Sequence, residues 1–252
     1  MNNKQIGENL LKISLVIIVF IFIILMLIKR FVYFRPSSQF KTTKEVYKVV
    51  KYDNLHTWLL ENNKSDKIVL LCHGNAGNIS DQENRINNLY NIGYSVLVFD
   101  YSGFGKSSGV PSEQQLYNDV STIVSILRQQ YNPNQIILYG QSLGASVATY
   151  AARRYSIPTL ILESPLPSVK ILIENKYPLG KLYSFLFPEF DIGSYLLGYK
   201  GKSLIMHSPT DEMIPYKSIT HLLHICTQHI PMDGSHNNPI IPWSQIKNFI
   251  EN

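Results

Sequence analysis

Only two cysteines, Cys72 and Cys226, occur in 252 residues, too few for the disulfide framework of a small secreted fold. Each lies beside an apolar strand pattern and reads as a packing residue; neither has the electropositive, accessible setting of a catalytic thiol. Metal-ligand spacing among His, Cys, Asp and Glu is missing, so no metal is expected. No internal repeat or low-complexity tract breaks the chain outside one N-terminal apolar run. Positive charge is scarce where a nucleic acid would need it. Residues 52–252 carry fourteen Lys/Arg against sixteen Asp/Glu, whereas residues 1–51 carry nine against two. A basic footprint belongs on the folded domain of a nucleic-acid-binding protein, so that class is excluded.

What is present first is the apolar run Ile13 to Ile28, broken only by Ser14 and followed by Lys29, Arg30 and four bulky residues, Phe31 to Phe34. As a helix rising about 1.5 Å per residue the run spans roughly 24 Å. Leu10, Leu11 and the aromatics complete a crossing of about 30 Å. Bulky aromatics and arginine follow it, not a small-x-small cleavage site, which argues against a removed signal peptide. Its lack of any polar face argues against a core helix. The expected organisation is a tail over 1–12, a transmembrane anchor over 13–34, a linker over 35–43 and one globular domain over 44–252. Lys4 and Lys12 precede the span; Lys29, Arg30, Arg35, Lys41 and Lys44 follow it and suit anionic headgroups. The positive-inside rule then points to a cytoplasmic domain.

Within the domain, Glu45 to Tyr52 and Leu55 to Leu60 flank the turn Asp53-Asn54 as two strands. Apolar runs at Ile68 to Leu71, Val96 to Phe99, Ile136 to Tyr139, Thr159 to Leu162, Leu204 to His207 and Thr227 to Pro231 then alternate with helical patterns. The longest helix starts at Ser112 as N-cap and has its apolar face at Leu116, Val120, Ile123, Val124 and Leu127. Alternation of this kind implies a parallel sheet with right-handed crossovers and helices on both faces. Ser164 to Lys202 is too long for a simple crossover and reads as a cap insertion over 164–202. Tyr177, Leu182, Tyr183, Phe185, Leu186 and Phe187 suit an apolar cleft, contact with lipid or, equally, ordinary helix packing; Tyr177, Phe185 and Phe187 are the candidate substrate-binding residues.

The chemistry gathers around Gly140-Gln141-Ser142-Leu143-Gly144, placed between an apolar strand and an Ala-rich helix. Glycines two before and two after the serine remove the Cβ atoms that would collide in so tight a turn, and the Ser142 hydroxyl is left exposed above the sheet. A serine needs a base, and the base needs a carboxylate to fix its tautomer. Asp211, in a polar loop after the strand ending at His207, and His236, in a Gly loop after the last strand, supply both at the carboxyl edge. Glu212 and Asp233 are rival acids, and His207, His221, His224 and His229 are rival bases. Backbone N–H groups of Leu143 and Asn75 are the candidate oxyanion donors, with Ala76 second to Asn75.

Together with the elbow, the blocks Leu71 to Asn78, Asp100 to Ser107 and Pro209 to Glu212 resemble those of the α/β-hydrolase superfamily. The similarity is to its membrane-anchored, short-cap group, which includes acyl-protein thioesterases, lipase-like enzymes and serine aminopeptidases, and it extends over about residues 44–250. It implies an α/β-hydrolase fold, with a single mostly parallel eight-stranded sheet, antiparallel at its second strand, and a short cap. It also implies serine esterase-type hydrolysis without a cofactor; the anchor motivates carboxylic esters or thioesters of lipids or acylated proteins as the substrates, and the sequence gives no sign of an obligate protein partner. A serine aminopeptidase-like peptidase and a catalytically silent membrane scaffold are the alternative readings. His73-Gly74-Asn75 stands where many lipases have His-Gly-Gly-Gly, a departure at the second oxyanion donor.

Overall fold

The computed structural model describes residues 3–32, 39–41, 47–182 and 184–252. The chain divides into two units, Met1–Phe34 and Arg35–Asn252. The first is helix α1 (Asn3–Val32). Its stretch Gln5–Ile24 is long and apolar enough to cross a membrane and none of it is buried. Ser14, the polar interruption in the run, donates its hydroxyl to the Leu10 carbonyl at 2.9 Å, so the helix satisfies its own polar group, as a hydrocarbon setting requires. Tyr33, Phe34 and much of the linker lie outside the described residues, as do the side chains of Lys29 and Arg30.

The second unit runs β1 (Lys48–Tyr52), β2 (Leu55–Leu60), β3 (Ile68–Cys72), α2 (Glu83–Asn91), β4 (Ser95–Phe99), α3 (Glu113–Leu127), β5 (Ile136–Gln141), α4 (Leu143–Tyr155), β6 (Thr159–Glu163), α5 (Val169–Lys176), α6 (Ile192–Leu197), β7 (Lys202–His207), α7 (Thr220–Leu223), β8 (Gln228–Pro231), β9 (Asp233–Gly234), β10 (Pro239–Ile240) and α8 (Trp243–Glu251). Eight strands form one sheet in the order β1-β2-β4-β3-β5-β6-β7-β8. It is antiparallel where β2 meets β1 and β4 and parallel elsewhere, the sheet that the resemblance implies.

Alternation along the strands sorts the two faces. Val69, Leu71, Val96, Val98, Ile137, Tyr139, Ile161, Leu204 and Met206 join Ile86 and Leu89 of α2 and Ile246, Phe249 and Ile250 of α8 in one buried cluster. Their neighbours in sequence, such as Leu70, Leu97, Leu138 and Leu160, are buried on the opposite face. There α4 packs on β3, β5 and β6, and α3 packs on α4. Each fully buried leucine or isoleucine contributes about 1.5–3 kcal/mol.

Strand order decides where a site can form. From β3 the chain moves outward to β4, then returns to lay β5 on the other side of β3. Connections leave the sheet in opposite directions at that point, which opens a crevice beyond the carboxyl ends of β3 and β5. Cys72 and Gly140 are paired there, so the His73 and Ser142 loops emerge side by side.

Candidate active site

The turn into α4 is sterically determined. A Cβ at Gly144 would overlap the carbonyl oxygens of Cys72 and His73, and one at Gly140 would lie 2.5 Å from Ala145 Cα. Only glycine lets β5, the helix and the β3 loop approach this closely. Ser142 between them has φ 52° and ψ −115°, a backbone that costs a non-glycine residue about 1–3 kcal/mol. Hydrogen bonds hold it there. Its N–H donates to the Glu163 carbonyl at 2.9 Å, and its own carbonyl accepts from Ala145 N at 3.1 Å and Leu166 N at 3.2 Å.

Two other loops reach the same rim. Asp211 follows β7, and its Oδ1 accepts from Met213 N at 2.9 Å and Ile214 N at 2.7 Å. That leaves Oδ2 for His236 Nδ1, at 2.7 Å, while His236 Nε2 lies 3.2 Å from Ser142 Oγ. Asp211 and His236 are both buried. Burial pushes the Asp211 carboxyl up, but hydrogen bonds from the His236 ring and Ile214 N–H outweigh it and hold it below its ordinary range. An ionised carboxylate on Nδ1–H directs the Nε2 lone pair at the serine hydroxyl. The arrangement can move a proton from serine to imidazole.

The rivals fall elsewhere. Glu212 Oε2 accepts from the His236 backbone N at 3.1 Å and does not engage its ring. Asp233 is exposed on β9, and His221 and His224 belong to α7 and its cap. His207 donates Nε2–H to the Ile214 carbonyl at 3.0 Å, which steadies the residue whose own N–H serves Asp211. His229 is half-buried on β8. Ser208 Oγ and Thr210 Oγ1 both donate to the Gly234 carbonyl, at 2.6 and 3.2 Å, and so tie the acid loop to the histidine loop.

Leu143 occupies the first position of α4, where a helix cannot bond its own N–H groups. Asn75 is half-buried and Ala76 exposed in the loop after β3. That loop is fastened by residues of the elbow and of the Asp100 block, to which sequence reasoning gave no such role. Gly74 N donates to Gln141 Oε1 at 3.3 Å, and Tyr101 Oη donates to the His73 carbonyl at 2.9 Å. Asp100 Oδ1 accepts from Ile79 N at 3.0 Å, and its Oδ2 accepts from Lys106 N at 3.1 Å; burial pushes its carboxyl up to about 7. Burial likewise takes the His73 ring down to about 4, against the opposing effect of its bond to Gly74. Beneath the elbow, buried Glu163 is paired with Arg85 at 2.5 Å and accepts from Tyr139 Oη at 2.6 Å. Among the described residues no group of three His, Cys, Asp or Glu side chains gathers as metal ligands would.

In the cap, Tyr177 and Phe185 present their rings to solvent and Phe187 is half-buried. Tyr183 lies outside the described residues. The cap's return is fixed to α3, because Glu113 accepts from Glu189 N at 3.0 Å and Phe190 N at 2.9 Å. Cys72 is fully buried, and burial pushes its thiol up.

Residues 63–223 match the family described as serine aminopeptidase, S33. An uncharacterized membrane protein of Saccharomyces cerevisiae is 30% identical over 213 residues, which cover 78% of this chain and 75% of that one. Lysophosphatidylserine lipase ABHD12 of Danio rerio is 30% identical over 204 residues, 71% of this chain and 52% of that longer protein. An esterase of Pyrococcus furiosus superposes with a TM-score of 0.69 at 20% identity, over 86% of this chain and 97% of the esterase, a likeness of fold. The elbow at a topological switch point, the sheet order and the family match over residues 63–223 agree, and the chain belongs to the α/β-hydrolase superfamily, in the serine aminopeptidase family S33.

Proposed function

We propose that the protein is a membrane-anchored serine hydrolase that cleaves carboxylic esters or thioesters of lipids or acylated proteins. The observation that carries this reading is the hydrogen-bonded series at the sheet's carboxyl rim, with His236 2.7 Å from Asp211 and 3.2 Å from Ser142. Ser142 Oγ attacks the acyl carbon as its proton passes to His236 Nε2, and Asp211 stabilises the imidazolium. Negative charge moves to the carbonyl oxygen, where the Leu143 and Asn75 N–H groups receive it. When the carbon–oxygen or carbon–sulfur bond breaks, the imidazolium gives its proton to the departing alcohol or thiol. Water, deprotonated by His236, then releases the acid and restores the serine.

Helix α1 and the named membrane and lipase relatives support anchoring and a lipid-borne substrate. Two basic residues before the span and five after it favour the cytoplasmic side for the catalytic domain. In the full chain, Ser142→Ala is expected to lower turnover of a short acyl ester on the order of 10⁶-fold and to abolish fluorophosphonate labelling with the fold unchanged. Undiminished labelling removes Ser142 from the mechanism. If neither wild type nor variant labels or turns over, the silent scaffold is the right reading. The family description supports a second reading, a serine peptidase; turnover of aminoacyl arylamides without turnover of acyl esters would select it.

A further inference from the structure

The segment after α5 exposes what a folded domain ordinarily buries. Leu179 is 73% exposed, Leu182 69% and Phe185 73%. These are not the tips of a loose loop. Gly180 packs so closely on α5 that a Cβ there would overlap the Ile173 carbonyl oxygen, and buried Ser184 donates to Glu174 Oε1 at 2.8 Å. At these two fixings the chain forms short 3-10 turns, Gly180–Leu182 and Ser184–Leu186. Leu179 precedes the first turn, Leu182 ends it and Phe185 lies in the second. Leu179 adds a conformational oddity. Its φ of 59° is left-handed, a geometry that is unfavourable for a residue with a side chain. The fold bears that cost to direct a leucine outward, and such strain concentrates at functional positions.

Charge distinguishes the same stretch from its surroundings. Val169 to Phe187 carries three lysines and one glutamate, within a region, 52–252, that has more acidic than basic residues. Lys170 and Lys181 are exposed. Apolar side chains interleaved with lysines, whose stems lie along apolar surface while the ammonium reaches out, suit the boundary between lipid headgroups and acyl chains. Anionic headgroups add an electrostatic attraction for each lysine near the surface.

We propose that Leu179, Leu182 and Phe185, flanked by Lys170 and Lys181, dock on an anionic lipid surface. Lipid is the chosen occupant because the chain carries its own candidate span, and the fourteen residues between Val32 and Tyr47 extend no more than about 50 Å. This inference uses the anchoring in the proposed function and none of its chemistry. It gives Phe185 a lipid contact in place of the expected role in binding substrate. The stripe belongs to the insertion that leaves the carboxyl end of β6, the sheet edge from which Ser142 emerges, so docking presents that edge to ester groups at headgroup depth.

The test uses the full chain in a Cys226→Ser background, reconstituted into phosphatidylcholine vesicles with phosphatidylserine. A polarity-sensitive fluorophore is attached at Leu182→Cys, at Leu179→Cys, or at Asn63→Cys on the opposite sheet edge as a control. The expected result is blue-shifted emission at 179 and 182, quenched by nitroxide-bearing lipid, with water-like emission at 63. The shift should weaken when phosphatidylserine is omitted or when Lys170→Glu and Lys181→Glu are introduced. Water-like emission at 179 and 182 in a chain that floats with the vesicles overturns docking and leaves the anchor standing; a chain that does not float overturns both. A blue shift that nitroxide lipid does not quench assigns the stripe to a second copy of the chain and overturns the lipid reading.

Discussion

The elbow around Ser142 and the stripe after α5 invert one another. At the first, Asp211, His236, Glu163 and Asp100 are buried polar groups with named partners; at the second, leucine and phenylalanine stand in water over turns held by Gly180 and Ser184. Both contain a residue with positive φ, Ser142 at 52° and Leu179 at 59°. The pair teaches that strain by itself does not reveal a role. At 142 it aims a hydroxyl at a base 3.2 Å away; at 179 it aims an apolar group outward.

Substitutions should separate the two regions by size of effect. After the nucleophile, Asp211→Asn is expected to have the largest effect, because an amide selects the wrong imidazole tautomer: about a 10⁴-fold fall in kcat with KM little changed, read from steady-state ester hydrolysis. Equal losses for Asp211→Asn and Glu212→Gln would break the assignment of the acid, since Glu212 bonds only the His236 backbone. Gly144→Ala attacks the geometry instead. Its methyl would overlap the Cys72 and His73 carbonyl oxygens, so it should destabilise the domain by about 3 kcal/mol or more, seen as a large fall in Tm in detergent. The smallest effect belongs to the stripe. Leu179→Gly removes the left-handed strain at the cost of a more flexible unfolded chain, and should raise stability by about 0.5–1 kcal/mol. A loss of stability there would mean that Leu179 packs on something in the fold.

What the sequence made legible follows the same inversion. β2 has the expected ends, Leu55 and Leu60, and Asp53 takes the positive φ of 55° that its turn requires. Ser112 caps α3 by accepting from Gln115 N at 3.1 Å. In each case a local pattern of burial or bonding is written in neighbouring residues. The elbow was legible for a similar reason, since Gly140 answers a clash with Ala145 five residues on and Gly144 stands in the same short pattern, although what requires Gly144 is the distant carbonyls of Cys72 and His73. The cap resisted because its apolar residues do not sort by burial, so periodicity there carries no inward face; α5, α6 and the 3-10 turns were therefore not resolved individually. The two-residue ladder of β9 and β10 was missed as well. Its Gly234 carbonyl is held by Ser208 and Thr210 from another loop, and a tertiary bond leaves no trace in local spacing. Arg85 and Glu163 are likewise 78 positions apart, and nothing near either residue signals the pair.

The staple from Ser208 and Thr210 to Gly234 bears on what replacing the proposed nucleophile would do. It joins the carboxylate and imidazole loops without using any atom of residue 142. In the proposed mechanism the proton acceptor is thus a prefabricated half, delivered by the last two parallel strands, and a thiol installed by Ser142→Cys would meet the same oriented ring. Exchange of the attacking atom and repair of the base are separable operations in this scaffold.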